Sequence, residues 1–470
     1  MNHVRRIAAA AAALMCLAFS ACAQDFADAG FLADGTAQQL GAPKDYGSER
    51  VTVDVPGENP VIEGINPITG EPYAGEYTLT LVNIDTHPRA LPHWGVSSAD
   101  LIYEMPIQAA GDTRSVALFM GEYPAYAGPV RSARVPMASL REMWGGMYCF
   151  YGYQGGRDTN NVKNWVIANS EKRKFSMPYI DLMGKRWSER SREYGHVAPY
   201  NVRLDMAQAL ENHDADAQPH PFLFSETGLT QGESVNGMVI SYKQTNPAYV
   251  AGYRYNEETG LFDRYRNGEP YIDANNGEIC SFANVIVLRT DISWASNNPS
   301  RPVIRLHGEG VCEIFQNGRY IRGTWAREST ATKNLDSRMV FLDENGQEVP
   351  MKAGKTFIQI VDNEQPVVVF SDEKIAGSIE PQPQRKTVGA PIQTKRPKAT
   401  ATPEMTEEPT PEPTATPEAT EAPTPEPTPT PEATEAPEKT EPPVEEITPA
   451  PQEPDTPGAG EASPSEATVG

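Results

Sequence analysis

Histidine and cysteine are scarce in this 470-residue chain, with seven and five residues respectively. His3 and Cys16 lie in the first two dozen residues, which read as a cleaved signal, so the pool for nucleophilic or metal chemistry is smaller still. The chain has no Cys-x-x-Cys, no His-Glu-x-x-His, no Gly-x-Ser-x-Gly, and no phosphate loop with its Lys-Ser/Thr. Zinc and thiol redox centres, metalloproteases, serine hydrolases and nucleotide sites therefore find no support in the sequence. Neither a cofactor nor a metal is implied. The apolar run Ile7–Ala21 is 15 residues long, short of the roughly 20 that a bilayer-spanning helix needs.

That run instead reads as the core of a secretory signal, with Arg5 and Arg6 as its positive lead. It ends in Phe19-Ser20-Ala21-Cys22. Small residues before a cysteine suit a lipoprotein signal peptidase, and Cys22 would then become the acylated N-terminus. The alternative is ordinary signal cleavage after Ala23, since Ala21-Cys22-Ala23 has the small-x-small form. Several acyl chains would give stable anchoring, because each buried methylene contributes about 0.8 kcal/mol. The expected place is the outer face of the cytoplasmic membrane, with the membrane itself as first partner.

From about Gln382 the chain loses nearly all aromatic and branched apolar residues. Repeats such as Glu408-Pro-Thr-Pro-Glu-Pro-Thr414 cannot bury enough apolar area to offset ordering entropy, so a disordered, extended tail is expected. In polyproline II its reach would be on the order of 250 Å. From Ala401 onward there are 17 acidic residues and one lysine, so the tail carries most of the net charge of −23. The acidity argues against nucleic acid as a partner. A short basic patch (Arg385, Lys386, Lys395, Arg396, Lys398) precedes it and reads as solvated linker.

The residues between are globular in composition. Tyr77–Asp85, Ala99–Met105, Arg114–Met120 and Met147–Tyr153 have the apolar and β-branched content of strands. Ser132–Met143 and Asp158–Ala168 have helical spacing. After residue 225, short alternating stretches such as Phe262–Arg266, Val311–Phe315 and Tyr320–Trp325 are separated by turn signals, among them Asn267-Gly268 and Asn317-Gly318. The overall expectation is an α+β protein. A signal (1–22) and a tether (23–58) lead into an α/β domain over 59–225. A mainly antiparallel β domain over 226–372 and a disordered tail over 373–470 follow.

Asn66-Pro-Ile-Thr-Gly70, Asp85-Thr-His-Pro-Arg89, Ala99–Glu104, Gly128-Pro-Val-Arg-Ser-Ala-Arg134 and Lys355–Ile360 together resemble the DUF3048 family, over about residues 60–365. The Gly-Pro-Val-Arg-Ser-Ala-Arg string is the most specific element. Tyr253-x-Tyr255, Tyr265-Arg266 and Asn284–Val287 fit the later part of the family. One position departs: Pro199-Tyr200-Asn201 stands where a Pro-His-Asn string is common. The resemblance implies an envelope lipoprotein of two parts and supplies no reaction.

Candidate residues follow from residue type and placement. Asp85 and His87, two apart at a strand end, would share a face and could bind a metal or act as base and orienting partner, while Asp-x-His-Pro reads equally as a strand-to-turn exit. Glu104 ends an apolar strand and needs a partner, for which Arg114 and Arg131 are the natural choices. Arg131, Ser132 and Arg134 at a helix start would suit a carboxylate or phosphate, or the arginines would be taken up in an internal ion pair, for example with Glu104 or Asp85. Arg157, His196 and Asn201 complete the polar set for ligand binding. Cys149 reads as a buried small hydrophobe, and Cys280 with Cys312 either bridges or stays free. Two functions compete. One is a non-catalytic binding or scaffold protein of the cell envelope, with wall polymer or envelope proteins as partners. The other is an extracytoplasmic hydrolase or transferase using Asp85, His87 and Glu104 on an anionic substrate.

Overall fold

Apolar periodicity fixes the elements of the first half. After an edge strand at Ala37–Leu40 come β1 (Thr80–Asp85), β2 (Leu101–Pro106) and β3 (Thr113–Phe119), with helix α1 (Val135–Trp144) and strand β4 (Met147–Phe150) beyond them. Helix α2 (Val162–Asn169) and a short strand β5 (Tyr179–Asp181) follow. The second half is built of hairpins: β6 (Gly237–Ser241), β7 (Val250–Asn256), β8 (Leu261–Arg266), β9 (Asn284–Thr290), β10 (Gly308–Gln316), β11 (Arg319–Arg327), β12 (Thr356–Asp362) and β13 (Val367–Phe370). Asn267-Gly268 and Asn317-Gly318 all take positive φ, between 52° and 82°, which type I′ hairpin turns require. The α+β class expected from the sequence is the one found.

The computed structural model describes residues 37–40, 43, 47–153, 160–169, 177–183, 188–242, 249–295, 298, 300–328 and 335–371. Cys22, the signal, most of the tether, Arg157 and the tail from 373 lie outside these residues.

An 11-stranded sheet forms the centre, and it draws on both halves of the chain. Its order through the main strands is β11-β10-β9-β12-β2-β3-β1-β4-β5. Strand β12, from near the end of the chain, pairs in parallel with β9 on one side and β2 on the other. A second sheet of seven strands carries β13-β6-β7-β8 in its middle. At its edge Ala37 pairs with Phe370, so the first and last described strands lie side by side.

Alternation along each strand separates two cores. Val82, Ile84, Ile102 and Ala117 of the central sheet pack with Tyr253, Phe262 and Val369 of the second sheet. Leu81, Leu101, Tyr103 and Val116 face the other way, onto Met137, Leu140 and Trp144 of α1. The order of layers is sheet, central sheet, helices. Cys280 belongs to the core between the sheets and Cys312 to the core under the helices. A bridge would have to pass through the central sheet. Accordingly, Cys149, Cys280 and Cys312 are all free and buried.

Candidate functional site

The Arg131–Arg134 segment is threaded between the end of β1 and the chain just beyond β4. Asp85 N–H donates to the Pro129 carbonyl at 2.8 Å, and Arg131 N–H to the Asn83 carbonyl at 3.1 Å. On the other side Tyr151 N–H donates to the Arg131 carbonyl at 3.1 Å and Ala133 N–H to the Gly152 carbonyl at 2.9 Å. With its backbone consumed by both neighbours, the segment holds its side chains in fixed directions. Helix α1 starts directly after it. Arg134 is the N-cap and makes no side-chain cap bond, and Pro136 occupies the first turn.

Three guanidinium groups gather here. Arg131 Nε lies 2.6 Å from Asp85 Oδ2. Arg114, opposite Asp85 in the β1–β3 register, donates from Nη1 to the Ser132 carbonyl at 2.6 Å. Arg134 donates from Nη1 to its neighbour's carbonyl at 3.0 Å. Arg114 Nε, Arg134 Nε and Asn83 Nδ2 are buried without an acceptor. The Asn83 side-chain oxygen accepts from the Tyr148 hydroxyl at 3.0 Å, which leaves its amide nitrogen as the donor without a partner. Burial, opposed by Asp85 and reinforced by Arg131, pushes the Arg114 guanidinium down to about 10. Burial and then the Arg114 charge push Arg134 down to about 9. Both remain cationic at neutral pH. Burial is the main cause of both shifts, with neighbouring guanidinium groups adding to it, and an anion would offset both.

Tyr200 forms an aromatic wall. Its ring stacks on His87 with centroids 4.4 Å apart and planes 16° apart, and Arg131 lies 5.6 Å from the ring centre. Asp85 and His87 do not form the dyad that their spacing suggests. β1 ends at Asp85, and His87 caps the 3-10 turn Pro88–Ala90. Asp85 Oδ1 accepts from the His87 backbone N–H at 3.0 Å, while His87 Nδ1 accepts from Arg89 N–H at 3.1 Å. Burial lowers the imidazole pKa against the pull of Asp85, so the ring is neutral at pH 7.

Glu104 lies elsewhere. It follows the alternation of Ile102 and points between the sheets, where its partners are Arg264 and Arg266 of β8, each at 2.7 Å. Thr113 and Gln359 also donate to it. This corrects the expectation of Arg114 or Arg131: those two lie at the end of β1, turned to Ser132 and Asp85. His196 is buried and contacts the Ala90 carbonyl through Nε2 at 3.0 Å. Its ring packs 4.5 Å from Trp94, and burial lowers its pKa. Asn201 is likewise buried, its Oδ1 without a donor. The structure thus gathers Asp85, His87, Arg114, Arg131, Ser132 and Arg134, adds Asn83 and Tyr200, and leaves Glu104 apart. Neither a small cavity beside Arg141 and Trp165 nor a broad groove lined by Thr230, Tyr320 and Asn345 includes these arginines. Among the described residues no cluster of His, Cys, Asp and Glu could hold a metal ion.

Comparison with known proteins bears on this fold. The N-terminal domain model of "Protein of unknown function (DUF3048)" matches residues 68–218, and its C-terminal domain model matches 238–358. The Bacillus subtilis (strain 168) protein named "Putative lipoprotein YerB" is 22% identical over 299 residues, covering 63% of this chain and 85% of that protein. The crystal structure of YerB from Bacillus subtilis aligns with a TM-score of 0.53 and 22% identity, covering 65% of this chain and 99% of that one. The likeness in structure shows a common fold. With both family models matched in order across the two halves, the chain belongs to the DUF3048 family.

Proposed function

We propose that this protein is an exported lipoprotein, held to the outer face of the membrane through Cys22, whose arginine cluster binds an anionic ligand of the cell envelope without chemical turnover. One observation carries the binding reading. Arg114 Nε, Arg134 Nε and Asn83 Nδ2 are three buried donors lacking acceptors around one short segment. Buried donors are nearly always paired, so a group of them at a helix N-terminus calls for an acceptor from outside the chain. A carboxylate or phosphate is the matching chemistry. The engagement of both Asp85 oxygens and the sequestration of Glu104 favour binding over acid–base catalysis.

The test is thermal melting of the protein in rising inorganic phosphate or citrate, at constant ionic strength. Preferential binding to the folded state raises the midpoint by mass action. Arg131→Ala and Arg134→Ala should each remove the dependence. A midpoint that ignores both anions would end this reading. The anchor is tested separately: Cys22→Ala should shift the protein from membranes to medium, and intact mass of the mature N-terminus reports the acyl chains. Cys22 lies only 15 residues before Ala37. A fully extended tether therefore keeps the paired Ala37–Phe370 edge within about 50 Å of the bilayer.

A further inference from the structure

The described surface exposes few large apolar side chains, and three of them gather next to the arginines. Tyr153 is 37% exposed, Tyr179 40% and Met183 59%. They continue from the buried Phe150, whose ring stacks on Tyr179 with centroids 5.4 Å apart and meets Tyr153 edge-on at 6.2 Å. β5, which carries Tyr179, is the last strand of the central sheet among the described residues.

Gly152 joins the apolar group to the cationic one. Its φ is +69°, and a Cβ built on it would lie 2.9 Å from Met183 Sδ and 3.9 Å from Ser132 Oγ. The thioether and the hydroxyl thus approach one residue together. Ala133 bridges to Tyr153 alongside, and Ser132 Oγ donates to the Tyr151 carbonyl at 3.0 Å. The exposed apolar side chains thus border Ser132, which lies between Arg131 and Arg134 in the same segment.

We infer that the anion is the head of an amphiphile, a phosphate or carboxylate carrying an apolar chain, with the chain lying over Tyr153, Tyr179 and Met183. This rests on the anion-binding reading above. A small hydrophilic anion would use the arginines and leave the apolar border in water. An alkyl phosphate satisfies both, since covering apolar surface adds to affinity in proportion to area. Methionine suits a chain of variable shape because it is unbranched and polarisable.

The experiment compares inorganic phosphate, glycerol phosphate and octyl phosphate below its micelle concentration, by calorimetric titration of the full mature chain. Octanol controls for unspecific adsorption. Octyl phosphate should bind at least tenfold tighter than the two hydrophilic phosphates. Met183→Ser should remove most of that preference, Met183→Leu should keep it, and neither should alter affinity for inorganic phosphate. Equal affinity for all three phosphates would overturn the amphiphile inference and leave anion binding standing. So would a preference untouched by Met183→Ser. Failure of every phosphate to bind would remove the anion reading itself, and this inference with it.

Discussion

Arg266 donates through Nη1 to Glu104 Oε1 at 2.7 Å, although the two residues stand 162 positions apart in the chain. Arg264, two positions earlier on β8, takes the other carboxylate oxygen at the same distance. The three charges join the central sheet to the second sheet. Arg264 is further held among aromatic rings, 4.6 Å from the centre of Tyr253 and 4.8 Å from that of Phe357.

Removing the carboxylate should therefore be costly. Glu104→Gln leaves two buried guanidinium groups without their counter-charge, and loss of one partner of a buried ion pair typically costs about 3–5 kcal/mol. Urea unfolding should show a loss of that size. Replacing the whole group, with Glu104→Leu, Arg264→Met and Arg266→Met together, should cost less than the single change, because no charge is then stranded. A single variant as stable as the parent would show that the triad does not hold the sheets together.

The same carboxylate sets an acid limit. Burial alone would raise the Glu104 pKa, but Arg266 and Arg264 outweigh it and hold the group down to about 2, against an ordinary 4.5. A carboxyl group with a depressed folded pKa contributes its stability in full above the unfolded value. The contribution fades as pH falls from 4.5 toward 2. Its size is on the order of 3 kcal/mol. Urea midpoints taken across that window should fall for the parent and fall less steeply for Glu104→Gln. Parallel curves would count against the assignment.

Much of this was legible in the sequence, and the limits have a physical cause. Strand and helix positions follow from local apolar periodicity, so β1 to β4 and α1 lie near their expected places. The Arg131-Ser132-Ala133-Arg134 string was visible because its chemistry is contiguous. Pairings across the fold were not visible. Phe262, Arg264 and Arg266 alternate on one face of β8, and the burial of Phe262 carries both arginines inward. That alternation was a usable signal, but it named no partner 160 residues away. Asp85 and His87 failed as a pair because the strand rule applies only within a strand, and β1 stops at Asp85. Tyr200 sits outside regular structure, and only the folded chain brings its ring onto His87.

The cysteines give a simple check on the layer order. Cys149, Cys280 and Cys312 are buried and free, and burial raises each thiol pKa above its ordinary value. Thiolate is the reactive form, so all three should be inert to a thiol reagent in the folded state. A chain starting after Cys22 should titrate three thiols in denaturant and essentially none before. A reductant should leave its melting midpoint unchanged. A reductant-sensitive midpoint would place Cys280 and Cys312 on the same side of the central sheet.

The arginine cluster should trade stability for binding. Arg134 sits in the field of Arg114 and Arg131, and Asp85 is the one carboxylate in contact with the group among the described residues. Without an anion, this crowding of like charge should cost the fold more than it contributes. Arg134→Met keeps the apolar stem and removes the charge, so in low salt and without anion it should raise stability by about 1 kcal/mol, the usual size of such relief. Added sodium chloride should narrow the gap between variant and parent, because screening weakens the repulsion. Phosphate should reverse it, stabilising the parent and leaving Arg134→Met unmoved. A variant less stable than the parent in the absence of anion would mean that Arg134 serves the fold and not a ligand.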